Sequence, residues 1–455
     1  MRLSGWLWLA LTSFAMGVTA PAETRPQYGS TLRTATSISL MSLDPADKLQ
    51  PDSITTRNLT RLMFDTLVTV DDHGRLKPAL AVSWQSLSSN QRWEFRLRRG
   101  VKFHDGSPLT AQAVAASIRA ANPDWAVLPG SDSITIERDT SDPNVPAQLA
   151  RARNAITRRS EGGTLIGTGP FHIRDWQPGK RLSVAANEDY WGGRPFLNGI
   201  DIELGKSGRD QLMTIELGNA DLVELPPDQA RRVAGEGRRV VSSLPLVLLA
   251  LHFTREPQSP DEAKLRQALG LSIDRNSIHN VVLQGTGEAS GAILPDWLSG
   301  YAFVFPAVQD LEHARQLRAE VKTVRTWTLG YDNNDPLARL IAERIALNAK
   351  DAGLAIDVVT SSNADLRLER TILASLNPWV ALDARDPETK ITHAAGGGDS
   401  VDDLFKSEST ELAKQQTIPL FYLPGTYALS PAVENWGQHR DGMIDFEDLW
   451  MGSRP

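Results

Sequence analysis

The sequence predicts an exported, mixed α/β protein of more than one domain. Three observations carry that expectation. They are an N-terminal export leader, a remaining length too great for one ordinary domain, and a chain in which strand-like and helix-like segments follow one another. The leader has three parts: Arg2 as a short positive region, the apolar stretch Trp6 to Val18, and the small-residue pattern Ala20-Pro21-Ala22. An apolar run of that length is too short to span a bilayer comfortably. Cleavage is expected after Ala22, which leaves 455 − 22 = 433 residues. That length implies two or three domains. Hydrophobic content of 41% and charged content of 23% are those of a globular protein.

The elements follow in chain order. Residues 30–44 are rich in β-branched and small side chains and read as a strand running into a loop, ended by Asp44-Pro45. Leu59, Leu62, Met63, Thr66 and Leu67 fall at helical spacing and predict a helix over 55–68. Trp93 to Arg98 alternates apolar and charged residues, the period of a half-buried strand. Asp105-Gly106 then signals a turn, and Thr110 is placed to cap a helix from Ala111 to about Ala120. The polar, Arg-rich stretch 139–163 reads as a connection between domains. Phe171–Trp176 and Leu182–Ala186 read as strands joined across Pro178-Gly179. The apolar run 244–253 reads as a buried strand. Helices are expected at 261–283 and 336–353, the second followed by a strand over 354–360. Gly396 to Gly398 marks a loop.

Composition removes several functions. The absence of cysteine excludes a disulfide framework, a thiolate metal site and a cysteine nucleophile. It also excludes a lipid-bearing N-terminal cysteine, so no lipid anchor is expected. The net charge of −7, or −8 once Arg2 is removed, argues against nucleic acid as a partner. There is no G-x-S-x-G, HExxH or P-loop motif. His73, His104, His172, His252, His279, His313, His393 and His439 are scattered without metal-ligand spacing. No catalytic residue, cofactor or metal site is expected, although a carboxylate pair needs no local motif.

Several motif-bearing blocks follow one another along the chain. The first is Pro78 to Ile118, which carries Arg99-Gly100-Val101-Lys102-Phe103-His104-Asp105-Gly106 and then Pro108-Leu109-Thr110-Ala111. The second is Gly167 to Ile202, with Gly167-Thr168-Gly169-Pro170-Phe171, the turn Trp176-Gln177-Pro178-Gly179, and Asn187 through Tyr190-Trp191-Gly192-Gly193 to Pro195. Further blocks are Leu212–Leu225 and Leu249–Gly285, the latter with Lys264–Ala268 and Ile273-Asp274-Arg275; a weaker one is Ile418–Tyr422. In this order the blocks resemble the family 5 extracellular solute-binding proteins of the dipeptide, oligopeptide and nickel class. In the first two blocks, Asp105-Gly106 with His104 beside it reads as a hairpin turn, and Tyr190-Trp191 as aromatic packing ahead of a Gly-Gly turn.

The resemblance implies the two-lobe periplasmic-binding-protein fold of type II with a small inserted domain. Lobe I would hold 29–70, 164–255 and 425–452, the inserted domain 71–163, and lobe III 256–424, after a signal peptide of 1–22. It implies a monomeric periplasmic receptor for an ABC importer, which binds a small molecule or peptide between the lobes and passes it to the permease subunits. The alternatives are a family member turned sensor or assembly partner and, behind it, an exported enzyme.

Peptide-binding members of the family carry W-x-x-D-Y-x-D-P, whose first aspartate pairs with the peptide ammonium. Aligning its D-x-x-D-P part puts Asp383 on that aspartate, with Ala384 in place of the tyrosine and Trp379 one residue too far away. Asp383 is therefore a candidate anchor, through a charge-assisted hydrogen bond, or else a loop or cap residue. Trp379 would supply an aromatic wall. His252 stands where the family usually has asparagine, as a ligand contact or a histidine satisfied locally. Leu40 and Met41 follow the first strand and border either cleft or core. Trp297 is a stacking surface or a loop anchor. The region after Gly396 is shorter than in the family and is expected to lack most of the helix before Ile418.

Overall fold

A computed structural model describes residues 25–71, 73–384 and 400–452. The leader expected over 1–22, the Asp386-Pro387 pair and the glycine run at 396–398 lie outside these residues. Among the described residues no helix is long and apolar enough to cross a membrane.

One sheet runs through both lobes. Its order is Phe171–Gln177, Arg181–Ala186, Leu197–Glu203, Gly29–Ala35, Leu222–Glu224, Thr417–Leu429, Arg239–Phe253, Leu366–Ile372, Trp327–Gly330 and Ile356–Val359. Each end has a parallel centre: Gly29–Ala35 lies between Leu197–Glu203 and Leu222–Glu224, and Trp327–Gly330 between Ile356–Val359 and Leu366–Ile372. The two longest strands, Arg239–Phe253 and Thr417–Leu429, join the ends as an antiparallel pair. Arg239 to Ser242 face the strand segment that also pairs with Leu222–Glu224, whereas Val247 to Phe253 pair with Leu366–Ile372. Between them the register shifts twice, around Pro245 opposite Pro424. Proline donates no ladder hydrogen bond, so the sheet is least tied where the chain crosses from one lobe to the other.

A separate four-stranded sheet, Ala81–Leu87, Arg92–Leu97, Ser133–Glu137 and Ala126–Pro129, carries the helix Ala111–Ala121. The Thr110 hydroxyl accepts the Ala113 amide, as the sequence predicts. Its core contains Phe95, Val114, Ile134 and Ile136, all essentially inaccessible. Val145, Leu149 and Ile156 are equally buried in it. The stretch 139–163 is therefore no mere connection. It holds a short helix, Val145–Leu149, and its three apolar side chains close the inserted core.

Two helices differ from expectation for local reasons. The first spans Ile54–Met63 and stops at Phe64, whose backbone is extended; Leu67 is buried but belongs to the chain beyond the helix. The helix Pro260–Ser272 stops at Ile273, and the Asp274 carboxylate then caps a new turn by accepting the Ser277 amide. One expectation is overturned. A helix, Val401–Ala413, does precede the strand that contains Ile418, capped by Ser400 on the Asp403 amide. It was hidden because its inner face includes the buried Glu408, which breaks the apolar periodicity.

The family-like blocks prove to be joints. Gly167 and Gly169 press against the end of the first helix. A Cβ on Gly167 would lie 2.2 Å from the Met63 carbonyl oxygen, and one on Gly169 would lie 2.5 Å from the Met63 carbonyl carbon. Arg275 is buried and donates to the Pro419 carbonyl on the crossing strand at 2.8 Å. Arg266, also buried, pairs with Glu262 at 2.7 Å and lies 4.0 Å from the Phe253 ring centroid.

Candidate functional site

The lobes face each other across the first helix. Ile54–Met63 presents Arg57 and Arg61 one turn apart on one side, as expected at i and i+4. The turn after Leu366–Ile372 comes down on that side, and Arg57 donates to the Leu373 carbonyl at 2.8 Å. Asn377 bonds Asn144 of the inserted unit at 3.1 Å. These contacts bring the lobes together around a cavity of about 370 Å³.

Its wall draws on distant parts of the chain: Arg57, Arg61 and Asp65, the 147–155 segment with Arg151, Tyr190-Trp191, Leu373 to Leu376, and the 441–448 segment with Glu447. A second cavity of about 260 Å³ adjoins it and shares Arg57, Thr60, Arg151 and Ala152. The volumes lie at or just below the lower end of the range for small-molecule sites.

Asp65 is held in place rather than offered to a ligand. It accepts from Thr168 at 2.8 Å, from the Trp191 indole at 2.8 Å and from the Tyr190 hydroxyl at 3.2 Å. Burial raises its pKa, and these three donors work in the other direction. Burial and the facing carboxylate also raise the Tyr190 pKa, which keeps the phenol a donor. Tyr190 and Trp191 do pack ahead of the Gly-Gly turn, but they line the cavity as well.

The arginines divide into one satisfied group and two others. Arg57 grips Asp52 through two bonds of 2.7 and 2.8 Å. Arg61 and Arg151 donate no side-chain hydrogen bond to any described residue. Burial opposes the Arg61 charge, but the carboxylates of Asp441, Glu447 and Asp445 more than offset it and raise its pKa. Burial, with the Arg57 charge beside it, holds the Arg151 pKa down to about 10. Burial likewise raises the Glu447 pKa, against the pull of Arg61.

The six residues singled out from sequence do not converge on this cavity, and none of them lines it. Leu40 is buried in the main core at 3% exposure and also borders the second cavity. Met41 is exposed, its sulfur close to Gly179. Trp297 donates to the Pro245 carbonyl at 3.2 Å, beneath the crossing of the strands. His252 sits further along Arg239–Phe253, with Nδ1 3.2 Å from the Thr417 hydroxyl. Trp379 and Asp383 share the short helix Pro378–Asp383. Asn377 caps that helix by accepting the Val380 amide and Pro378 follows at its first position, so Asp383 falls at its last residue. Trp379 is buried in the core between the lobes. A proline directly after a capping asparagine is a helix-start signal that the sequence displays at Asn377-Pro378. Arg61, Arg151 and Glu447 carry no motif at all. Among the described residues no group of three or more His, Cys, Asp or Glu could hold a metal ion.

Residues 75–402 match the bacterial extracellular solute-binding proteins, family 5 (middle region). The probable D,D-dipeptide-binding periplasmic protein DdpA of Escherichia coli is 24% identical over 319 residues, which cover 63% of this chain and 61% of that protein. The match thus spans less than two thirds of this relative. In fold, the chain is similar to NikA from Staphylococcus aureus in complex with Ni(L-His)2, with a TM-score of 0.79 at 18% identity over 93% of this chain and all of that one. It is also similar to the oligopeptide-binding protein AppA from Bacillus subtilis in complex with a nonapeptide, with a TM-score of 0.77 at 18% identity over 94% of this chain and all of that one.

Proposed function

Because the chain belongs to the bacterial extracellular solute-binding proteins, family 5, we propose that it is the receptor of an ABC importer, which captures a small solute between its lobes and hands it to the permease. The observation that carries this reading is the cavity lined from both lobes where they meet, near the place where, among the described residues, two long strands cross between them. Such an arrangement lets solute close the lobes by a hinge motion and lets release follow reopening. The relatives named above are described with a dipeptide, a nickel–histidine complex and a nonapeptide, so the fold accepts several ligand classes. A volume of about 370 Å³ lies at the lower end of the range for small-molecule sites, room for a solute of dipeptide size. The reading includes export with cleavage after Ala22, a periplasmic location without a lipid anchor, a monomer, and no catalytic role.

Mass spectrometry of small molecules released from the natively purified protein tests the proposal. One small solute near one equivalent per chain is expected. A protein that releases none, and whose radius of gyration no tested solute changes, is not a transport receptor.

A further inference from the structure

We infer that the solute held in this cavity is an amino dicarboxylate, its two carboxylates bound by Arg151 and Arg61 and its amine directed to Glu447. The inference rests on the cavity being the ligand site. Of the three arginines in its wall, Arg57 is committed to Asp52 and to the Leu373 carbonyl. Arg61 lies one turn further along the same helix, and Arg151 stands on the facing segment, near enough to feel the Arg57 charge. The three form a cationic arc whose middle member is already neutralised.

A guanidinium has five donors in a fixed fork that fits a carboxylate. Arg61 is attracted by the Asp441, Glu447 and Asp445 carboxylates yet donates no side-chain hydrogen bond to a described residue, whereas the half-buried Arg151 has no comparable compensation. Arg151 has the harder position, because its charged neighbours Arg57 and Arg153 both repel it and only Asp52 attracts it. An anion with two separated carboxylates would satisfy both ends of the arc. Glu447 lines the same space, and no side chain donates to it among the described residues. It is placed to accept from a protonated amine. Two source chemistries share this pattern: a dipeptide with an acidic side chain and an N-carboxyalkyl amino acid.

The test is calorimetry on the full-length protein, stripped of ligand, with three dipeptides of nearly one shape. Alanyl-glutamate has two carboxylates, alanyl-glutamine one and alanyl-glutaminamide none. N-(1-carboxyethyl)-alanine is the fourth probe, with two carboxylates and no peptide bond. At least one dicarboxylate should bind, and whichever does identifies the source. For a dipeptide, affinity should fall at least tenfold with each carboxylate removed. Arg151→Gln and Arg61→Gln should each weaken that binding by about 30-fold or more. Neither arginine side chain donates a hydrogen bond to any described residue, so both variants should fold. Arg151→Gln should also raise the ligand-free Tm, because it removes an unsatisfied charge. Dicarboxylates that bind no better than the diamide would overturn the inference, as would variants that bind within threefold of the parent. A lower ligand-free Tm in both variants would mark the arginines as structural and have the same effect. If the released solute carries no carboxylate, the inference fails while the receptor reading stands.

Discussion

Single side chains set the joints of this protein, and His104 shows how. Its Nδ1 accepts the Gly167 amide at 3.3 Å and its Nε2 faces the Gly169 carbonyl at 3.1 Å. Only the neutral ring, with its proton on Nε2, meets both demands. Burial accordingly lowers its pKa to about 4 from an ordinary 6.5. The unfolded chain then binds the proton more readily between those values, so stability falls as pH drops from about 6.5 to about 4. The loss should approach about 3 kcal/mol at the acid end. Urea unfolding across that range should show the slope in the parent and a flatter one in His104→Gln. Gly169→Ala drives a methyl group into the Met63 backbone. It should cost about 1–3 kcal/mol, as overpacking does, and be seen in the same assay. Asp383 ends its helix outside both cavity walls. Asp383→Asn is expected to bind the released solute within threefold of the parent by calorimetry.

Elements are held by a few polar anchors. Glu408 on Val401–Ala413 accepts the Ile293 and Leu294 amides at 2.6 and 2.8 Å and the Tyr301 hydroxyl at 2.7 Å. It therefore fastens that helix to the loop it covers. Glu408→Ala would strand three buried donors at about 1–3 kcal/mol each, and a loss of about 3 kcal/mol or more is expected in denaturant unfolding. Glu408→Gln, which keeps an acceptor, should lose less. The same residue explains why the helix was not read from sequence: a charged residue on the inner face is the opposite of an amphipathic pattern. The strand Arg239–Phe253 was legible from its apolar run at 244–253, but its first residues are exposed or half-buried and reach into the other lobe.

At the scale of the whole molecule, two crossing strands join the lobes among the described residues, and their register breaks around Pro245 and Pro424. That is where a hinge should act. The released solute should lower the radius of gyration in small-angle scattering, and removing it should restore the larger value. An unchanged radius at saturation would argue against closure. Arg57 should matter here, because it joins the first helix to the Leu373 carbonyl across the lobes. Arg57→Ala is expected to leave the ligand-free radius equal or larger and to reduce the closure.

The sequence by itself determined the local pieces and the family. Turns at Asp105-Gly106 and Pro178-Gly179, the Thr110 cap and the alternation of Trp93 to Arg98 all follow from short-range sterics and periodicity, which any few residues display. The ordered blocks carried the fold because they are joints, and the fold depends on their packing. Only the tertiary structure decided the cavity. Arg61 on a helix face reads the same whether that face meets water or a second lobe, and Arg151 and Glu447 lie in polar segments without a motif. What distinguishes them is the company they keep: a guanidinium beside another guanidinium, or a carboxyl group buried opposite an arginine. Proximity of that kind is a property of the folded chain, since residues far apart in sequence share an electrostatic field only after the lobes have come together.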